Sequence, residues 1–191
     1  NNSKILQSSF YEIDILEIGG HHKGKRGKDS ENKQPTLLIL STLEDNNYPQ
    51  YVKLHTLPNY KGEPIEEYLK EKCLFDPTIV INCDRDKAFF CLNKLAQLEN
   101  SVVDYTKENH KLKWLNTFIG NIQSNINHLY RLVKKRDLPL FLSEQEWRIN
   151  HRYSGKRIMD KVKKYISMST PVTFKQITNS VLAYEKQFLS A

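Results

Sequence analysis

A short apolar segment, Thr78–Cys83, restricts the folds that are open to this chain. Its sequence, TIVINC, runs nearly without polar interruption, whereas a strand with one solvated face alternates apolar and polar residues. A near-continuous apolar run is typical of a parallel strand that is covered on both faces. The segment therefore predicts a sheet that is packed between helices.

The neighbouring segments have the order of an α/β domain. Three strands come first and form an antiparallel meander: Phe10–Ile18, Thr36–Thr42 and Tyr51–Thr56. A helix, the apolar strand, a second helix and a short strand follow: Pro64–Lys72, Thr78–Cys83, Asp86–Leu98 and Ser101–Tyr105. The rest is predicted to be helical: Asn116–Lys135, Ser143–His151, Lys156–Ile166 and Thr173–Leu189. The predicted fold class is α/β, with a mixed five-stranded sheet flanked by helices and a helical C-terminal extension.

Two aspartates stand out because of their positions in these strands. Asp14 lies inside the otherwise apolar first strand, where a buried carboxylate is costly unless a positive group compensates it. Asp84 directly follows the apolar fourth strand, and ligands of open α/β sheets gather beyond the carboxyl ends of such strands. If the two strands are neighbours, the pair suits Mg²⁺ or Mn²⁺. The structural alternative is that Asp14 pairs with a lysine and Asp84 caps the next helix.

Four blocks of the sequence carry a resemblance to a known family. They are EIDILEIGGHHKGKRG with NKQP (Glu12–Gly27 and Asn32–Pro35), NCDRDKAF (Asn82–Phe89), SNINHLYRLVKKR (Ser124–Arg136) and EWRINHR (Glu146–Arg152). In this order, the blocks resemble those of insertion-sequence DDE transposases of the ISXO type, which are related to the Merlin elements. The resemblance implies an RNase H-like catalytic core over residues 1–152 and a helical extension over residues 153–191.

The same resemblance implies a catalytic site. It assigns the catalytic and metal-binding trio to Asp14, Asp84 and Asn127, with two Mg²⁺ or Mn²⁺ ions that support in-line attack on a DNA phosphodiester. Lys134 follows Asn127 by two helical turns in the predicted helix, so Asn127, Arg131 and Lys134 share one stripe. Arg131 and Lys134 are expected to hold the phosphate. The opposite, apolar stripe is expected to pack on the sheet: Ile122, Ile126, Leu129 and Val133.

Two positions depart from the family pattern. The acidic residue that often follows the first aspartate is Ile15 here, and the third ligand is the amide of Asn127, which offers an oxygen without a charge. Asp104 and Glu146 are further acids that rank below Asn127. These departures motivate one alternative to the transposase hypothesis, a catalytically silent DNA-binding protein derived from a transposase. A structure-selective RNase H-like nuclease, which would share the predicted fold, is a second alternative.

A basic, glycine-rich loop follows the first strand. Its sequence GGHHKGKR nearly matches the phosphate-binding loop of nucleotide hydrolases, but Arg26 stands where Ser or Thr must reach Mg²⁺, which excludes that function. The loop is either simply solvated or an arm that binds DNA phosphates, with an affinity that depends on salt. The cations of this arm are Lys23, Lys25, Arg26 and Lys28.

The composition agrees with a polyanionic partner. The 191 residues carry a net charge of +7, which favours such partners. No apolar run approaches the ~20 residues of a membrane-spanning helix, so no membrane association is predicted. Three cysteines without a paired motif suit a reducing compartment. The resemblance adds double-stranded DNA as partner, at transposon ends and target, together with a homo-oligomer in the cytoplasm at the nucleoid, or in the nucleus of a eukaryote.

Overall fold

A mixed sheet of five strands is the centre of the computed structural model of this chain. The structure describes residues 8–19, 33–42, 48–72, 78–84, 86–100, 112–130, 133–155, 157–173 and 175–180. The strands are β1 (Phe10–Ile18), β2 (Gln34–Thr42), β3 (Pro49–Thr56), β4 (Val80–Cys83) and β5 (Gln97–Asn100). Their order across the sheet is β3-β2-β1-β4-β5. β1 to β3 form an antiparallel meander, and β4 and β5 continue the sheet in parallel to β1, which confirms both predictions.

Helices cover both faces of this sheet. They are α1 (Gly62–Lys72), α2 (Lys113–Leu129), α3 (Leu138–Asn150) and α4 (Arg157–Met168), with 3₁₀ helices at Lys87–Lys94 and Lys135–Asp137. Alternate residues of β1 face opposite sides. Tyr11 and Ile13 pack with α1 and the first 3₁₀ helix, whereas Leu16 and Ile18 pack with α2 and α3. This alternation agrees with the two faces that the sequence predicts for the first strand.

The segment after β4 differs from its prediction. A helix was expected over Asp86–Leu98, but the chain forms a 3₁₀ helix that ends at Lys94 and then enters β5 at Gln97. The apolar spacing also fits a 3₁₀ helix, because residues three apart lie above one another there. Gln97 N–H donates to the Ile79 carbonyl at 2.9 Å, so pairing with β4 begins early. The strand predicted at Ser101–Tyr105 lies outside the described residues.

The helices after β5 have other boundaries than predicted. α2 ends at Leu129 instead of Lys135, and Leu129 is 66% exposed, so the predicted apolar stripe stops at Ile126. Val133 still packs against the α2 side of the core, but from the turn that follows the helix. α3 begins at Leu138 instead of Ser143, because Pro139 occupies the first turn of a helix, where its missing N–H costs nothing.

Side chains of α3 pair with the exposed edge of β3. The Asn150 amide accepts from Val52 N–H at 2.8 Å and donates to the Val52 carbonyl at 2.9 Å. Glu146 accepts from Leu54 N–H at 3.2 Å and from Lys53 Nζ at 3.1 Å. α3 thereby satisfies backbone groups that an edge strand leaves open. No helix in the described part of the chain is long and apolar enough to span a membrane.

Candidate active site

Asp14 and Asp84 come together at the boundary between β1 and β4. Ile13 and Cys83 are the last partners in the parallel register of these strands, and the two aspartates are the next residue on each. Neighbouring strands lie about 4.8 Å apart, so the side chains leave the sheet side by side. Burial and, to a smaller extent, the nearby charges of Asp84 and Asp14 together raise the pKa of the Cys83 thiol to about 12. The predicted carboxylate pair is therefore a feature of the fold.

The two carboxylates differ in their exposure. Asp14 is half-buried and its Oδ1 accepts a hydrogen bond from Ile15 N–H at 2.7 Å, whereas Asp84 is exposed. The helix after β4 is capped by Asp86, whose side chain accepts from Ala88 N–H at 3.0 Å. Capping of the next helix, the structural alternative for Asp84, is thus a role that Asp86 fills.

The pair shares its face of the sheet with α2. Glu12 lies two residues before Asp14 and on the same side of β1, and its Oε2 accepts from Leu115 N–H at 3.2 Å. Glu12 is 5% exposed. Burial raises the pKa of its carboxyl to about 7, against the opposing effect of the Leu115 hydrogen bond. The first turn of α2 is therefore anchored to the strand that carries Asp14.

Among the described residues, two buried amide atoms near this anchor in the sequence or the strand register have no hydrogen-bond partner. They are Nδ2 of Asn116, the residue after Leu115, and Oδ1 of Asn82, the register partner of Glu12 on β4. A buried polar group without a partner is unfavourable, and such groups concentrate at functional sites. Rotation of the Asn116 amide by 180° exchanges its oxygen and nitrogen, which presents an oxygen in place of the orphaned nitrogen. Asn116 is thus a candidate ligand that the sequence prediction missed.

Asn127 lies further along α2 than the contacts that anchor this helix to β1. α2 runs in the same direction as β1, because Leu115 meets Glu12 and Gln123 Nε2 donates to the Glu17 carbonyl at 3.3 Å. Asn127 lies a further turn along, exposed to solvent. The rise of an α-helix places it about 16 Å from Asn116 along the axis.

Of the predicted phosphate-binding residues, only Lys134 lies in the described part of the chain. Lys134 is exposed, but it lies beyond the end of α2 with an extended backbone (φ −70°, ψ 145°), so it does not share a helical stripe with Asn127. The stripe prediction is wrong because the helix ends at Leu129. Several predicted residues lie outside the described part of the chain: Lys23, Lys25, Arg26, Lys28, Asp104 and Arg131.

The remaining candidates have structural roles. Glu146 is buried in the ion pair with Lys53 at the β3 edge, where burial raises its pKa and the charge of Lys53 lowers it. It lies on α3, away from β4. Trp114 contacts the ring of Tyr48, and Trp147 stacks on His151.

The donor set at this site suits a hard divalent cation. Two carboxylates and an amide oxygen are ligands that Mg²⁺ and Mn²⁺ accept. The unpartnered Nδ2 of Asn116 is compatible with this fit only after the 180° rotation of the amide, which would put an oxygen in its place for a cation to bind. Among the described residues, no group of three His, Cys, Asp or Glu side chains is placed to hold a metal ion. A site here therefore depends on the amide as its third protein ligand.

Comparison with known proteins identifies the family of the chain. Residues 10–150 match the model of the ISXO2-like transposase domain. The chain belongs to this transposase family. The segment matched by the ISXO2-like transposase domain includes Asp14, Asp84 and Asn116, and the family resemblance predicted from the sequence is confirmed.

A solved structure and the curated proteins complete the comparison. The structure is similar to the catalytic core domain of BIV integrase, with 11% identity over 83% of this chain and 99% of that chain, at a TM-score of 0.48. No curated protein matches the chain. The predicted mixed five-stranded sheet with flanking helices, and the further helices towards the C-terminus, are confirmed for this transposase domain.

Proposed function

We propose that this chain cleaves DNA strands and joins the resulting 3′ ends to target DNA through new phosphodiester bonds. The proposed site is formed by Asp14, Asp84 and Asn116. The observation that carries the proposal is the convergence of Asp14 and Asp84 where β1 meets β4, inside the segment that matches a transposase domain. Asn116 replaces Asn127 as the third residue in this proposal, because its buried Nδ2 has no hydrogen-bond partner among the described residues and because it directly follows Leu115, whose N–H donates to Glu12.

The proposed site residues have two roles: they would bind the cations, and they leave the site open to DNA. Asp14 and Asp84 would bind two Mg²⁺ or Mn²⁺ ions as charged ligands, and Asn116 would add a neutral oxygen. Ions bound there would activate a water or a DNA 3′-hydroxyl for in-line attack and would stabilise the leaving oxygen. Asp14 is half-buried, which limits the water around its charge and strengthens its electrostatic interactions. Asp84 is exposed, so the pair is open towards a strand in solution.

The same proposal covers the DNA partner, the phosphate contacts, the domain organisation and the assembly of the protein. The net charge of +7 suits double-stranded DNA, at transposon ends and at the target. Phosphate contacts are proposed for Lys134 and, outside the described residues, for Lys23, Lys25, Arg26, Lys28 and Arg131. The catalytic core at residues 1–152 and the extension at 153–191 form a homo-oligomer that acts at the nucleoid, or in a eukaryotic nucleus.

The experiment measures cleavage and joining separately. A supercoiled plasmid with Mn²⁺ reports nicking, and a labelled duplex with a free 3′-hydroxyl reports joining to that plasmid. Asp14→Asn and Asp84→Asn are expected to lose at least 100-fold in both reactions while they still bind DNA. Asp160→Asn, which removes an exposed carboxylate on α4, is the matched control and keeps full activity.

The outcomes distinguish the proposal from its alternatives. Nicking without joining would support a structure-selective nuclease instead. DNA binding without cleavage, with either metal and with several end sequences, would support a catalytically silent protein. Unchanged activity in Asp84→Asn would contradict the proposed site itself.

A further inference from the structure

The NKQP motif, Asn32–Pro35, leads into β2, and the proposed function gives it no role. Its lysine, Lys33, donates from Nζ to Oε2 of Glu17 on β1 at 2.5 Å. The hydroxyl of Tyr60, on the segment between β3 and α1, donates to Oε1 of the same carboxylate at 2.9 Å. Glu17, Lys33 and Tyr60 form a cluster that we call the Glu17 junction.

Glu17 connects several elements at the end of β1. Lys33 lies two residues before Pro35, the register partner of Glu17, so the two charged side chains stand diagonally to each other on one face of the sheet. Tyr60 adds the segment that leads into α1. The backbone carbonyl of Glu17 accepts from Gln123 Nε2 of α2 at 3.3 Å. The contacts of this one residue therefore tie the start of β2, the chain before α1 and the middle of α2 to β1.

Glu17 and Lys33 lie on either side of the segment of residues 20–32, which carries four of the proposed phosphate contacts. The pairing of β1 with β2 extends to Ile18 and Gln34, and residues 20–32 lie outside the described part of the chain. The ion pair spans the last pair of this ladder. It therefore holds together the two points at which the segment leaves and re-enters the sheet.

The Glu17 junction is more enclosed than an ordinary surface ion pair. The side chains of Glu17 and Lys33 are 19% and 32% exposed, whereas Lys70 in its pair with Glu66 on α1 is 56% exposed. Exposed pairs contribute little, because water screens the charges and long side chains lose freedom. The Tyr60 hydroxyl gives the Glu17 carboxylate a second, charge-assisted hydrogen bond, which orders it. A carboxylate at this place also repels phosphates, so the cluster suits positioning better than DNA contact.

We propose that the Glu17 junction positions the segment of residues 20–32 for the DNA substrate, because it fixes the two points at which this segment joins the sheet. The inference rests on the proposed function. Glu17, Lys33 and Tyr60 are positioning residues in it, since none of them contacts DNA. A binding segment whose ends are fixed in advance loses less conformational freedom when it binds. The junction therefore raises the affinity for DNA without adding a phosphate contact.

The test uses opposite expectations for the loss of one carboxylate. Glu17→Gln removes a negative charge, so electrostatics alone would raise the affinity for DNA. The proposal predicts an affinity that is lower by about three- to tenfold, because Lys33 loses its ionic partner. Fluorescence anisotropy of the full chain with a labelled duplex measures the dissociation constant at several salt concentrations. The slope of affinity against salt is expected to stay unchanged, since the number of phosphate contacts is the same.

A charge exchange tests the ion pair itself. Glu17→Lys and Lys33→Glu are each expected to lower the affinity, and the double variant that carries both changes is expected to recover most of the loss. Tyr60→Phe, which removes only the hydroxyl, is expected to lower the affinity less than Glu17→Gln does. Glu66→Gln is the matched control, because it removes the same charge from the ion pair with Lys70 on α1 and keeps the wild-type affinity within about twofold. Melting temperatures verify that each variant is folded.

The rate of cleavage separates positioning of the segment from an effect on the carboxylate pair. At saturating DNA, single-turnover cleavage by Glu17→Gln is expected to stay within about threefold of the wild-type rate. Equal or higher affinity in Glu17→Gln, or a double variant that binds no better than Lys33→Glu, would overturn this inference alone. A large loss of rate at saturating DNA would overturn it too. A wild-type protein that binds no duplex at all would overturn both this inference and the proposed function.

Discussion

Asn150 forms with Val52 the two backbone hydrogen bonds that a neighbouring strand would form. Its amide accepts from Val52 N–H at 2.8 Å and donates to the Val52 carbonyl at 2.9 Å. Glu146, one turn earlier on α3, accepts from Leu54 N–H, and Arg152 donates to the carbonyls of Gln50 and Pro49. The sequence block EWRINHR thus closes the edge of the sheet at β3, far along the sheet from the candidate site.

Replacement of Asn150 is expected to destabilise the fold. Asn150→Ala leaves two backbone groups of Val52 without their partners, which we expect to cost about 2–4 kcal/mol. Asn150→Asp keeps the acceptor for Val52 N–H but loses the donor, so a smaller loss is expected. Urea denaturation followed by circular dichroism measures both values, with Asn121→Ala as an exposed control. Equal stability of Asn150→Ala and the wild type would show that water replaces the amide at no cost.

Removing one partner of the buried ion pair of Lys53 and Glu146 is expected to lower the stability of the fold strongly, whereas replacing both with apolar residues is expected to lower it little. Their side chains are each 5% exposed, with 3.1 Å between Nζ and Oε1. Glu146→Ala leaves a buried ammonium, for which about 3–5 kcal/mol is expected, whereas the double variant Lys53→Met with Glu146→Leu removes both charges. A double-mutant cycle in urea measures the coupling. Additive losses from the two single variants would contradict a direct interaction.

His55 is expected to make the stability of the protein depend on pH. It lies on β3 and stacks on Tyr68 of α1, with 3.8 Å between the ring centres. Burial lowers the pKa of its imidazole from 6.5 to about 4. Between these values the unfolded chain binds a proton that the folded protein does not, so stability is complete above pH 6.5 and falls as the pH drops towards 4.

The size of this effect follows from the shift. About 2.5 pH units correspond to roughly 3 kcal/mol of stability lost between pH 6.5 and pH 4. Thermal unfolding at half-unit pH steps measures it, and His55→Phe is expected to remove this part of the pH dependence. An identical pH profile in wild type and His55→Phe would mean that the pKa of this histidine is the same in the folded and the unfolded state, which contradicts the prediction.

Asn116 and Asn127 provide a direct comparison of two candidate third ligands on one helix. Asn116→Ala is expected to lower DNA cleavage at least 100-fold, because it removes a ligand next to the carboxylate pair, while Asn127→Ala changes the cleavage of pre-bound DNA less than threefold. Asn116→Asp adds a charge and is expected to lower the Mn²⁺ concentration needed for half-maximal activity. Single-turnover cleavage across a Mn²⁺ titration measures these effects. A larger loss of cleavage in Asn127→Ala than in Asn116→Ala would indicate that Asn127 is the third ligand.

Much of the sheet could be predicted from the sequence, because strands with buried faces carry a clear pattern. The alternation in β1 and the apolar run in β4 predicted both strands. The position of Asp84 after β4 predicted one of the two carboxylates of the candidate site. Because β1 pairs with β4, the two aspartates lie next to each other at the boundary of these strands. These features depend on local periodicity and on a general property of α/β sheets.

The third residue could not be predicted because α2 lacks the usual signals. Its first turn has no side-chain cap, and its N-cap position is Leu112, so the sequence did not indicate where the helix begins. Uncharged amides occur all around α2, at Asn116, Asn121, Gln123, Asn125 and Asn127. The contact of Leu115 with Glu12, which the sequence does not indicate, is what favours Asn116 among them as the proposed third ligand. The early end of the helix at Leu129 was missed for a similar reason, since Arg131 and Lys134 continue a helical spacing that the fold does not use.

The most direct measurement is a crystal structure of the full chain soaked in Mn²⁺, with anomalous diffraction to locate the ions. The account predicts Mn²⁺ at roughly 2.0–2.2 Å from carboxylate oxygens of Asp14 and Asp84, with the Asn116 amide oxygen as a third protein ligand. Ions bound at Asn127, or at a position that includes neither aspartate, would contradict it.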